Sequence, residues 1–348
     1  VNIHSECNEL RLFFINEEGS ELRIDFRAYN EGIAFRYVLQ NELDEEIIIT
    51  KELTSFSVPN GNAWILPYDK VTNWSPAYET WFTNGIPVGQ QAPSDEGWSF
   101  PALFETGEQW LLVSESGVYE DYCASHLQPD AGDGVYRIRF PEEGEHFGDG
   151  WVEPRSVVPW RMPWRFIAIG DLASIVENNM VYHLAEPNAI TDTSWIHPGI
   201  SSWSWWSSTS GRSLTRLKEF VDLAAEMNWR YSLVDAGWEN MEGGNLQDLI
   251  DYATTKNVDL LLWYNSGGRK TEAEMDSTFI LEDKTLRRKE FQRISEMGIK
   301  GIKADFFNSD KQFIIRQYIN ILKDAAEFNL VVNFHGCTLP RGWRRTYP

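Results

Sequence analysis

The chain has 348 residues, of which 42% are hydrophobic and 24% charged, and a formal net charge of −21. That acidity argues against nucleic acid or an anionic membrane surface as partner, since both require basic patches; no run of about 18 apolar residues offers membrane insertion. Three cysteines (Cys7, Cys123, Cys337) form neither a disulfide ladder nor a zinc spacing.

Residues 10–14, 21–27 and 33–38 alternate apolar with polar side chains at period two, and residues 16–20 and 30–32 supply turns between them. Residues 110–113, 135–140 and 164–169 continue the series. Many short strands separated by Gly, Pro and Asn predict an antiparallel β-sandwich. Residues 59–101 are poorer in pattern and rich in Trp, Tyr, Pro and Gly; long irregular stretches in a compact domain are often functional. A connecting helix is predicted from Leu172 through Tyr182, which closes a first domain at residues 1–185.

From residue 186 to 348 the pattern becomes strand–helix alternation. Five apolar runs, residues 202–206, 233–238, 261–265, 301–305 and 331–335, each end in polar or aromatic side chains. Between them, Leu217, Phe220, Val221 and Ala224 share one helical face, as do Leu246, Leu249, Ile250 and Ala253, and Ile314, Tyr318, Ile321, Leu322 and Ala325. Asn228, Asn257, Gly298 and Asn329 stand where helices stop. This grammar predicts a parallel barrel or a doubly wound sheet, and the lack of a Gly-rich phosphate loop after the first strand counts against a nucleotide-binding sheet. The barrel reading makes the chain α/β plus all-β: a β-sandwich followed by the first five βα units of a (β/α)8 TIM barrel, truncated after the fifth strand. About three units would then lie beyond Pro348. Val1 is not an initiator methionine and no signal peptide precedes it; the chain reads as a piece of a longer protein.

Strand ends at the C-terminal mouth of such a barrel are where catalytic groups collect. Asp305 ends the fourth run, and Lys303, two residues earlier, points to the same face. A neighbouring ammonium favours the ionised carboxylate, as a nucleophile attacking an anomeric carbon requires; a plain Lys–Asp ion pair is the alternative. Asp235 ends the second run, where it can bind sugar hydroxyls while Gly237 turns the backbone and Trp238 offers a stacking wall, or it can simply cap a loop. His335 at the fifth run can bond hydroxyls or serve as a structural histidine. Trp263 and Asn265 are weaker candidates of the same kind. Sixteen tryptophans, with Trp203, Trp205 and Trp206 clustered, suit the flat C–H faces of sugars as well as core packing. Glu79, in the irregular stretch, is either a site carboxylate reaching the barrel mouth or a solvated loop residue. No His/Cys cluster has transition-metal spacing, whereas a calcium ion held by carboxylates and waters needs no tight motif.

The segments Trp195-Ile196-His197-Pro198-Gly199, Trp203-Ser204-Trp205-Trp206, Val234-Asp235-Ala236-Gly237-Trp238, Ile302-Lys303-Ala304-Asp305-Phe306, His335-Gly336 and Arg341-Gly342-Trp343-Arg344-Arg345-Thr346-Tyr347-Pro348 follow one another in an order that resembles glycoside hydrolase family 97, a group of bacterial α-glycosidases. The resemblance implies a β-sandwich packed on a (β/α)8 barrel, with a small C-terminal β-domain in the full protein. It also implies a calcium ion near the leaving group, with Glu79 matched to the glutamate ligand from the N-terminal domain. Retaining members, α-galactosidases, carry an aspartate nucleophile at the end of strand four, and Asp305 stands there. The implied activity is therefore an exo-acting retaining α-galactosidase acting on an oligosaccharide or glycoside, with Lys303, Asp235, Trp238, Trp263 and His335 positioning the sugar. In the family the acid/base glutamate and most calcium ligands follow the Arg-Thr-Tyr-Pro segment, which is where this chain stops. His197 stands where a basic residue is expected before Pro-Gly. The family also implies a periplasmic or secreted protein. Two other readings stay open: an inverting α-glucosidase of the same family, and a carbohydrate-binding protein without catalysis.

Overall fold

Period-two alternation builds the first part of the chain as expected. The computed structural model describes residues 5–40, 46–208, 211–267 and 280–348, and its contacts fall into two units. The first comprises Val1–Ala189 with Ser309–Arg316 and Thr338–Thr346; the second comprises Ile190–Asn308 with Gln317–Cys337 and Tyr347–Pro348.

In the first unit, strands Asn8–Ile15, Glu21–Tyr29 and Gly32–Leu39 form an antiparallel meander in which Ile24 faces Leu12 on one side and Tyr37 on the other. Gly32 lets the third strand meet Trp164–Gly170, because a Cβ there would lie 2.2 Å from the Ile167 carbonyl oxygen. The described residues extend this into a nine-stranded sheet, and a three-stranded sheet of Ser55–Ser57, His126–Leu127 and Val135–Arg139 packs against it. Phe56, Tyr136 and Ile138 from the small sheet meet Ala63, Ile65, Phe104 and Val113 from the large one in a shared core. Each large side chain so buried is worth about 1.5–3 kcal/mol. This is the predicted antiparallel sandwich.

The connecting helix differs from expectation. It is two short helices, Leu172–Val176 and Met180–Leu184. Between them the Asn179 side-chain amide donates to the Glu177 carbonyl (2.8 Å), and the Met180 N–H donates to the Asn178 side chain (2.9 Å). Asparagine amides that bond the local backbone compete with helical hydrogen bonds.

A buried polar network ties the two later stretches of chain into this unit. Arg165, 1% exposed, donates to both oxygens of Glu52 (2.9 and 2.6 Å) and pairs with Glu115. Glu115 also accepts from Ser125 and Arg341, and Arg341 lies 3.7 Å from Asp310. Tyr78 donates to Asp310. Glu145 accepts four hydrogen bonds, from Tyr68 (2.7 Å), Ser309 Oγ (2.9 Å) and the N–H groups of Asp310 (2.8 Å) and Glu142 (2.7 Å). Lys311 Nζ donates to the carbonyls of Glu143, Glu145 and Asp149. Burial first, and the like charge of Asp310 second, push the Glu145 carboxyl up to about 7.

The second unit's strands, Ser201–Trp203, Tyr231–Val234, Asp259–Asn265, Gly301–Asp305 and Val331–Phe334, are all parallel and neighbour one another in chain order. A doubly wound sheet would reverse its order at a switch point; this sheet runs in one direction only, as successive barrel strands do. The connecting helices Leu214–Glu226, Leu246–Thr255 and Lys284–Glu296 bury Leu217, Val221 and Ala224, then Leu249 and Ala253, then Phe291 and Ile294. Asn228, Asn257 and Gly298, after these helices, and Asn329, after the helix Gln312–Glu327, have φ of 53°, 56°, 96° and 55°, the left-handed stop that ends a helix. Trp205 and Trp206, expected at the end of the first strand, lie instead in a short helix, Trp205–Ser208. The strand ends at Trp203 because the Ser204 carbonyl turns to accept from the Ser207 N–H (3.1 Å) and Oγ (3.2 Å).

Candidate active site

The strand Gly301–Asp305 alternates its side chains, so Lys303 and Asp305 emerge on one face at the C-terminal end. Register then decides their neighbours: Trp263 lies beside Lys303, Asn265 beside Asp305, and Asn333 on the far side of Lys303. Asp305, 3% exposed, lies 3.1 Å from Lys303 Nζ through Oδ2. The same oxygen accepts from Trp263 Nε1 (3.0 Å). Its Oδ1 accepts from the Phe306 N–H (3.0 Å) and His335 Nδ1 (3.2 Å). Burial pushes this carboxyl upward, but the His335 hydrogen bond, the Lys303 charge and the Trp263 donor outweigh burial and hold it below its ordinary range.

Lys303 is shared. Its Nζ also donates to Asp235 Oδ2 (2.9 Å), and it sits 4.6 Å over the Trp203 ring. Asp235, 2% exposed, accepts in addition from Trp203 Nε1 (2.6 Å) and the Ala236 N–H (2.8 Å). One ammonium therefore bridges two buried carboxylates, and the rings of Trp203 and His335 meet in a T-shaped contact, centroids 5.9 Å apart.

The backbone is shaped to this arrangement. Phe306, directly after the carboxylate, has φ 66°, a sparsely populated conformation of the kind that clusters at functional sites. Gly336 has φ 49°, and a Cβ there would stand 2.8 Å from Asp305 Oδ1.

Asp305, Lys303, Asp235, Trp263 and His335, singled out by sequence, thus come together. Trp238 does not supply the stacking wall expected of it. It is only 7% exposed, its Nε1 donates to the Trp263 carbonyl (2.9 Å), and its ring packs edgewise on Tyr264. Gly237, at φ 97°, makes the expected turn. Trp263 is 2% exposed and braces Asp305 instead of presenting a face to a ligand. Asn265 is fully buried and accepts from the Gly267 N–H (2.8 Å). His335, with its side chain 39% exposed, is the partner of Asp305 that reaches solvent. Sequence reading gave Gly336 no role and missed the link from Trp203 to Asp235; the adjacency of Gly336 to His335, and the place of Trp203 at the end of the first strand, were the available signals.

Glu79 is exposed in the first unit, just after a turn held by the Asp69 carboxylate, which accepts from the Ala77 and Tyr78 N–H groups (both 2.8 Å). Among the described residues no three His, Cys, Asp or Glu side chains converge as a metal site. Glu79 can offer a cation one carboxylate, and a full coordination shell needs ligands from elsewhere. No described helix is long and apolar enough to cross a membrane.

Residues 1–187 match the family described as Glycosyl-hydrolase 97 N-terminal, and residues 195–348 match Glycoside hydrolase 97. A probable retaining alpha-galactosidase of Streptomyces bingchenggensis (strain BCW-1) is 31% identical over 355 positions, covering 98% of this chain and 51% of its own. A retaining alpha-galactosidase of Bacteroides thetaiotaomicron is 25% identical, covering 93% of this chain and 52% of its own. A solved structure described as a beta-arabinopyranosidase superposes with a TM-score of 0.93 at 34% identity, covering 99% of this chain and 56% of its own. The chain spans about half the length of the curated relatives it matches.

Proposed function

This chain belongs to glycoside hydrolase family 97, and from that premise we propose that it is the nucleophile-bearing part of an exo-acting retaining α-galactosidase. The observation that carries the reading is the state of Asp305: a buried carboxylate kept ionised by Lys303, Trp263 and His335.

In a retaining mechanism a carboxylate oxygen bonds to the anomeric carbon as the bond to the leaving oxygen breaks, and a general acid protonates that oxygen. Water then cleaves the glycosyl ester. The four contacts of Asp305 leave Oδ1, on the side of half-exposed His335, as the attacking oxygen, since its 3.2 Å bond to His335 is the longest of them. When Asp305 becomes an ester it loses its charge. Asp235 then keeps Lys303 neutralised, so the intermediate carries no unpaired buried ammonium. The general acid belongs, on this proposal, to the remainder of the protein. A calcium ion with Glu79 among its ligands is part of the same proposal, and chelation followed by calcium add-back tests it.

The test uses the full-length protein with p-nitrophenyl α-galactoside. Asp305→Ala should abolish turnover, and azide or formate should restore part of it with inverted anomeric configuration. Unchanged hydrolysis by the variant overturns the reading, and α-glucoside turnover that survives it favours an inverting α-glucosidase.

The 34% identity to a beta-arabinopyranosidase supports a second reading of the sugar. A β-L-arabinopyranoside is an α-D-galactopyranoside without its C6 hydroxymethyl group, so one nucleophile serves both. Relative kcat/KM on the two p-nitrophenyl glycosides decides between them.

A further inference from the structure

Among the described tryptophans of the second unit, Trp206 stands apart. It is 86% exposed, whereas Trp203 is half-buried and Trp238 and Trp263 are 7% and 2% exposed. An indole left in water forgoes the burial that holds other tryptophans inside, and exposed apolar surface rimmed by polar groups marks interaction sites. The place of Trp206 gives that exposure meaning. It lies in the short helix that follows the first strand, at the same C-terminal end of the sheet as Asp305. Its ring is 6.1 Å from that of Trp203, tilted by 46°. Trp203 is the ring that donates to Asp235, carries Lys303 over its face and meets His335 in a T-shaped contact.

Trp206 therefore stands one aromatic ring further out than the groups that touch Asp305. A sugar under attack must contact Asp305 itself, so a ring resting on Trp206 is its neighbour in the chain of sugars. For an exo-acting enzyme that neighbour is the leaving group. We propose that Trp206 is a specificity-determining residue: a stacking platform for the first sugar of the leaving group, favouring oligosaccharides over simple glycosides. The inference rests on the glycosidase reading of the Asp305 site but not on the identity of the sugar attacked.

The experiment compares wild type, Trp206→Ala and Trp206→Phe in the full-length protein. The substrates are a glycosyl fluoride, whose leaving group has no ring, and melibiose, or maltose if glucosides are the ones turned over. Trp206→Ala should lower kcat/KM for the disaccharide by about 3- to 10-fold, the range of one aromatic stacking contact. It should leave the fluoride within about twofold, and Trp206→Phe should retain most of the disaccharide activity. An equal loss on both substrates assigns Trp206 to packing and overturns the proposal, as does no loss on either. If the wild type turns over none of α-galactosyl, α-glucosyl and β-L-arabinopyranosyl fluoride, the glycosidase reading has failed. Calorimetric titration of melibiose then judges Trp206 separately, and equal affinity of wild type and Trp206→Ala overturns the proposal.

Discussion

Asp305 and Glu145 are both carboxylates taken almost fully out of water, and the two units of the molecule treat them in opposite ways. Burial pushes each upward. Asp305 nevertheless ends below its ordinary range, because an ammonium, an imidazole and an indole N–H face it. Glu145 ends at about 7: its four donors are neutral O–H and N–H groups, and Asp310 adds a charge of the same sign. Desolvation sets the size of the penalty, and the balance of the charges and hydrogen-bond donors that face the carboxyl decides which protonation state survives. A carboxylate kept ionised suits attack on an electrophile. One poised near neutrality suits the holding together of two later chain segments in the first unit.

The contrast breaks first at the charge itself. Asp305→Asn should reduce kcat by about 10⁴-fold or more, the scale on which a covalent nucleophile is lost, with little change in the fold. Glu145→Gln should leave kcat within a few-fold, since a neutral amide copies the protonated acid. Steady-state kinetics on both variants make the comparison, and comparable losses in the two would erase the distinction.

Removing the cation probes why Asp305 stays ionised. Lys303→Met leaves Asp235 and Asp305 as two buried carboxylates without their shared partner, a change that should cost about 3–5 kcal/mol in urea denaturation. The acid limb of the pH–kcat/KM profile should move to higher pH, because the charge that lowered Asp305 is gone. An unmoved limb would mean that His335 and Trp263 suffice.

Stability should also depend on pH with opposite signs for the two groups. Glu145 binds its proton more tightly folded than unfolded, so its contribution is full below its ordinary value of 4.5 and is lost as pH rises to about 7. Asp305 binds its proton less tightly folded, so its contribution is present above 3.8 and is lost as pH falls below that value. Thermal melts should show Tm declining between pH 5 and 7, and Glu145→Gln should flatten that slope, by an amount on the order of a few kcal/mol. The groups that face Glu145 in this range are Asp310, Lys311, Tyr68 and Glu142, with Tyr78 and Arg341 one contact further.

Geometry sharpens the comparison least. Gly336→Ala places a methyl group against Asp305 Oδ1 at a left-handed backbone position, for a loss of about 1–3 kcal/mol. It should depress kcat more than it depresses Tm, since the atom displaced is the proposed nucleophile. A fall in Tm with kcat intact would count against that role for Oδ1.

Much of this was written locally in the chain. Period-two alternation determined the long sandwich strands, though not the short strands Asn62–Ile65 and Thr83–Pro87 inside the stretch read as irregular, and the spacing of apolar side chains determined the helices between the parallel strands. Asn228, Asn257, Gly298 and Asn329 stop those helices because their side chains tolerate φ near 55° or, for glycine, 96°. The separation of Lys303 from Asp305 by one residue placed both on one face before any fold was known. All of these rest on interactions among residues a few positions apart, which sequence displays directly.

Tertiary structure decided the rest. The register of five parallel strands brought Asp235, Trp263 and His335 to Asp305, and burial turned Trp238 and Trp263 from expected sugar platforms into braces while leaving Trp206 in water. Glu145 and Asp310 meet across 165 residues, and no local pattern announces such a pair. The state of a carboxylate depends on the water excluded around it and on the charges that stand across space, and only a folded chain has either.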